Sequence, residues 1–121
     1  MADAAILVGF GAPARARERQ AVGLYQEWVA FCSGLRDRGE IESFEPVLLD
    51  PHGGDLAGFL LLRGGGERLD RLRRDGEFRR LSTRAGLVVE GFGVVGAYVG
   101  GALDEQLSLY SAQIEEQLAS D

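Results

Sequence analysis

The chain has 121 residues, of which 45% are apolar and 26% charged, and its formal net charge is −6. All 13 basic residues are arginine, and there is one cysteine and one histidine. Without lysine there is no Schiff-base or phosphate-loop chemistry. A single cysteine excludes an internal disulfide and a Cys-x-x-Cys pair, and one histidine leaves no two-histidine metal site. The length fits one domain over residues 1–121. No stretch approaches the ~20 apolar residues of a membrane helix, and Met1-Ala2-Asp3 lacks the basic start of a leader. A cytoplasmic location is the expectation, with which a lone thiol agrees. The charge is uneven: the arginines all lie in the first 84 residues, balanced there by as many carboxylates, so the whole −6 sits in residues 85–121.

Ala4 to Phe10 is a short apolar run ended by Gly11-Ala12-Pro13, which predicts a buried strand. From Ala14 the period changes. Ala21, Leu24/Tyr25, Trp28, Phe31/Cys32 and Leu35 recur at threes and fours, one apolar face of a long helix that Gly39 stops. Ile41 to Leu49 alternates as a strand, and Pro46, which cannot donate to a ladder, places it at an edge or a bulge. The run from Asp50 to Asp55 is a turn, and Leu56 to Arg63 returns as the second strand of a hairpin. Gly64-Gly65-Gly66 opens a helical region, broken near Gly76, with Leu69, Leu72, Phe78, Leu81 and Ala85 facing inward. Leu87 to Val99 reads as a long glycine-bearing strand. Leu103, Leu107, Tyr110, Ile114 and Leu118 form the stripe of a terminal helix.

The resulting order, βαββαβ plus a C-terminal helix, predicts an α+β, ferredoxin-like domain with a four-stranded antiparallel sheet. Helices cover one face of such a sheet, yet both faces of these strands are apolar. Ile6, Val8 and Phe10 oppose Ala5 and Leu7, and Phe59 and Leu61 oppose Leu60 and Leu62. A second copy is the economical cover, so a homodimer is expected.

In this element order, with the long first helix carrying Trp28 and a tail helix after the last strand, the chain resembles the dimeric α+β barrel superfamily. That group includes cofactor-independent monooxygenases of polyketide biosynthesis and YCII-like proteins. The stretches Ile41 to Leu49 and Phe78-Arg79-Arg80-Leu81 are similar to actinobacterial proteins of unknown function. The resemblance implies a small hydrophobic ligand held between helix and sheet, and, from the YCII-like side, a histidine–aspartate pair.

Several constellations carry chemistry. Gly9-x-Gly11-x-x-Ala14 fits a relaxed dinucleotide fingerprint, but a hairpin follows where a parallel βαβ unit is required, so a strand-to-helix turn is the better reading. Arginines crowd residues 63–84, but the acids interleaved with them, as in Glu67–Arg71, Asp70–Arg74 and Asp75–Arg79, argue for a self-paired solvated face or a dock for the acidic tail helix. Nucleic acid and membrane are not expected partners. His52, beside Asp50 and Asp55, is a candidate general base, and Glu90 is the acid to inspect for a raised pKa. Tyr25, Trp28, Phe44, Phe59, Phe92 and Tyr98 are the candidate lining of an apolar cleft, with glycines 91, 93 and 96 leaving room. The sequence calls for no cofactor and no metal. Two functions stay open. One is a homodimeric module binding a small apolar ligand. The other is a cofactor-independent oxygenase or isomerase acting on an aromatic or polyketide-like molecule, using His52, Glu90, Tyr98 or Tyr25.

Overall fold

The computed structural model describes residues 3–119. Strand β1 (Ala4–Phe10) leads to helix α1 (Glu18–Asp37), the hairpin strands β2 (Ser43–Leu48) and β3 (Gly58–Gly64), helices α2 (Gly66–Leu72) and α3 (Gly76–Val88), strand β4 (Gly93–Ala97) and helix α4 (Gly100–Ala119). The four strands form one sheet in the order β2-β3-β1-β4, with every neighbouring pair antiparallel. β2 is an edge strand, so Pro46 sits in an unbroken register opposite Leu60 without leaving an inner ladder short of a donor.

Register separates the two faces. Ile6 stands level with Leu62, Phe44 and Gly96, and Val8 with Leu60, Pro46 and Val94. On this face lies the core: Ile6, Val8, Leu60 and Leu62 pack with Leu24, Trp28, Cys32 and Leu35 of α1 and with Leu69, Leu72, Phe78, Leu81, Ala85 and Val88 of α2 and α3. The α1 residues fall at i, i+4, i+8 and i+11, the stripe a 3.6-residue period buries. Arg38 closes α1, and Gly39 turns the chain away at φ +75°. Asp75 caps α3, its carboxylate accepting from the amides of Glu77 and Phe78.

One expectation is corrected, and two are made definite. The last strand is shorter than Leu87 to Val99. Leu87 and Val88 complete α3, because Val88 continues the inward stripe of Leu81 and Ala85, and β4 spans only Gly93–Ala97. The first helix begins at Glu18, four residues after the change of period at Ala14, since Ala16 takes φ +65° and interrupts the helical path. Of the two readings of the arginine-rich segment, the paired, solvated face is the one seen within the chain, where α4 buries none of its residues. The arginines find other partners. Arg80 and Arg84 both reach Glu27 on α1, Arg80 also pairs with Glu77, and Arg68 donates to the carbonyl of Gly39. Arg80 hydrogen-bonded to Glu77 holds that carboxyl below its usual range. Asp75 is taken by its capping role, so the expected Asp75–Arg79 pair gives way to a helix start.

The sheet's other face presents Leu7, Phe59, Leu61, Val47 and Val95, flanked by Glu45 and Arg63. None of the five apolar residues belongs to the core cluster or packs against it, and Val95 is 56% exposed.

Candidate functional site

β1 ends in Phe10, and the chain then crosses the end of the sheet before α1 starts. That crossing is pinned by backbone: the amide of Gly11 donates to the carbonyl of Glu90, the amide of Glu90 to that of Ala12, and the amide of Ala14 to that of Val88. Gly11 is obligatory here, because a Cβ would stand 2.6 Å from the Glu90 carbonyl oxygen and 2.8 Å from that of Asp55. The Gly9-x-Gly11 pattern thus serves close packing of three chain segments, in keeping with the turn reading.

Pinning this loop away from the sheet opens a cleft between α1 and the strands, with a volume of about 350 Å3. Val8, Phe10 and Leu60 line its sheet side, and Ala21, Leu24, Tyr25 and Trp28 its helix side. Ala85, Val89 and Phe92 line it from the α3–β4 segment, and Val22 and Leu48 lie at exposed positions on its rim. The tyrosine and phenylalanine rings of Tyr25 and Phe10 meet edge to face at 6.1 Å, and Trp28 contacts Phe31, Phe78 and Phe92 within 5.3 to 6.3 Å. Trp28 is 4% exposed, yet its indole Nε1–H has no hydrogen-bond partner. A buried donor without an acceptor costs about 1–3 kcal/mol, and among the described residues the Ser82 hydroxyl is the other such buried group.

Of the six aromatic residues expected to line the cleft, Tyr25, Trp28 and Phe92 do so. Phe59 does not: it alternates with Leu60 and Leu62 and lies level with Gly9 and Val47 on the opposite face. Phe44 is on the helix-covered face but further along β2, where the Arg36 guanidinium sits over its ring at 5.2 Å. Tyr98 follows β4 and is 58% exposed, away from the cleft on a second depression beside Arg73 and Ala102. Phe10, Leu48 and Val89 are lining residues that the sequence reading did not include. The parity of β1 was the available signal for Phe10, which shares a face with Ile6 and Val8. Glycines 91, 93 and 96 enlarge nothing inside, for a Cβ at each would meet only open space.

The two candidate catalytic residues lie outside the cleft lining. His52 is an exposed residue of the β2–β3 loop, and both ring nitrogens are engaged there: Nε2–H donates to the carbonyl of Leu56 at 2.9 Å, and Nδ1 accepts from the amide of Gly54 at 3.2 Å. Glu90 is exposed on the turn after α3, where its backbone, rather than its carboxylate, holds the loop after β1. Cys32 is fully buried, and burial pushes its thiol up to about 12, so it is no nucleophile. Among the described residues no three of His, Cys, Asp or Glu gather to hold a metal ion, and no helix is long and apolar enough to cross a membrane.

An antiparallel sheet in the order β2-β3-β1-β4 with helices packed on one face defines the ferredoxin-like fold of the α+β class. The chain is similar in structure to a dimeric protein of unknown function and ferredoxin-like fold from Bacteroides fragilis, with a TM-score of 0.61 over 79% of this chain and 95% of that one. Their sequences are 11% identical, so the likeness is one of fold. No family model matches the chain, and no curated protein matches it.

Proposed function

We propose that the protein is a homodimeric binding module that takes up a small, uncharged, largely apolar molecule between α1 and the sheet. The observation that carries this is the cleft itself, which is open, about 350 Å3 in volume, and lined by no charged side chain among the described residues. A charged ligand would be stripped of water there with nothing to pair it, at a cost of several kcal/mol. A flat apolar molecule with one acceptor atom would bury its faces against Phe10, Tyr25 and Phe92. The homodimer is supported by the uncovered apolar face of the sheet and by the dimeric state of the similar Bacteroides fragilis protein.

Trp28 is the sole tryptophan, so its fluorescence reports on the cleft directly. Titration with 1,4-naphthoquinone, a neutral bicyclic quencher, is expected to give saturable quenching. Ala21→Phe, which fills the helix side of the cleft, should weaken that binding at least tenfold. Linear, unsaturable quenching that is identical in both proteins would contradict the proposal.

The second reading, a cofactor-independent oxygenase or isomerase acting on an aromatic or polyketide-like molecule, is favoured by one feature. Tyr25 is the single ionisable side chain on the cleft lining, and such chemistry needs a proton-transferring group against its substrate. On that reading Tyr25→Phe removes turnover while the quenching titration stays as it was.

A further inference from the structure

Helix α4 is 20 residues long and buries none of them. By its sequence it should not stand alone. Two glycines open it, no basic residue lies in its last turn, and Glu115 and Glu116 face the negative end of its dipole. Most of a helix's stability in a protein comes from packing an amphipathic face rather than from propensity. Its apolar residues are nonetheless ordered: Leu103, Leu107, Tyr110 and Ile114 follow the four–three–four spacing of a heptad seam, with Leu118 at its edge. All five are exposed, Tyr110 at 64%.

The charges around that seam choose the partner. At 100° per residue, Gln106, Gln113 and Gln117 fall on one shoulder of the stripe, and Ser111 and Asp104 on the other. Glu105 and Glu116 fall on the back of the helix, and Glu115 falls beyond the Ser111 shoulder. A dock on the arginine-rich α2–α3 surface would leave most of these carboxylates turned away from the arginines. A second α4 would meet amides, a hydroxyl and the single carboxylate of Asp104 across the seam. We infer that α4 packs through Leu103, Leu107, Tyr110 and Ile114 against the α4 of a second copy of this chain. The inference rests on the homodimer proposed above, which supplies the high local concentration that so short a seam needs.

Tyr110 lies at the middle of the seam, so a cysteine there meets its counterpart whether the two helices run parallel or antiparallel. Cys32 is buried with its thiol pushed up to about 12 and does not compete. In the full chain, Tyr110→Cys is expected to form a disulfide-linked dimer under mild oxidation, and Glu105→Cys, on the back of the helix, at least tenfold less. The yield should be the same in 50 mM and 1 M salt, because the seam carries no ion pair. Equal cross-linking at both positions overturns the inference, and a yield that collapses at high salt transfers α4 to the arginine surface. A protein of dimer mass that fails to cross-link at position 110 removes the α4 seam and leaves the sheet-mediated dimer standing. A monomer removes both.

Discussion

Gly58 pairs with Phe10 and Leu48 in the sheet, where one added carbon has nowhere to go. A Cβ there would stand 2.5 Å from the Val47 carbonyl oxygen, 2.8 Å from the Phe10 ring and 3.1 Å from a Leu48 methyl. Two of those three neighbours line the cleft, so the strain would fall on the site as well as on the fold. Gly58→Ala should therefore lower stability by about 1–3 kcal/mol, read as a fall in Tm of several degrees. Gly93→Ala is the control: a Cβ at Gly93 meets nothing within 4 Å, and that Tm should hold or rise slightly. The unpartnered indole of Trp28 belongs to this scale too. Its Nε1–H is a buried donor with no acceptor.

At the scale of elements, α3 shows how local choices set the site. Asp75 starts the helix and Val88 ends it against the core, and the turn that follows carries Glu90, whose backbone pins the loop after β1. Asp75→Ala removes the acceptor for two orphan amides and should cost about 1 kcal/mol, measurable as a shift of the denaturation midpoint at unchanged slope. Most elements were legible because their periods differ: Leu24, Trp28, Cys32 and Leu35 repeat as a helix face, while Ile6 and Val8 alternate with Ala5 and Leu7. The α3–β4 boundary was not, since Leu87, Val88 and Val89 form an apolar run that suits a buried helical turn as well as a strand. The cleft was half legible for a related reason. Composition marks aromatic residues as candidates, but only strand parity sends Phe59 to the far face, and only the path of the chain after β4 carries Tyr98 away. Phe10 and Leu48 line the cleft by register, which composition does not reveal.

The whole molecule has two unfinished surfaces, the second face of the sheet and the stripe on α4. Leu7, Phe59, Leu61, Val47 and Val95 form a contiguous apolar area with Glu45 and Arg63 at its margin, an arrangement a two-fold axis repeats on a partner. Such a patch on a lone monomer favours association. Leu61 is already half-buried, so covering the rest of it adds only part of the roughly 1.5–3 kcal/mol of a full burial, but a charge at that position should separate the pair without touching the core on the other side of β3. A second copy is expected to cover this face, and sedimentation equilibrium of the chain at micromolar concentration checks it. The wild-type protein should have twice the chain mass and Leu61→Glu the single-chain mass, with the same far-ultraviolet circular dichroism per residue. A wild-type protein that sediments as a stable, soluble monomer would contradict it.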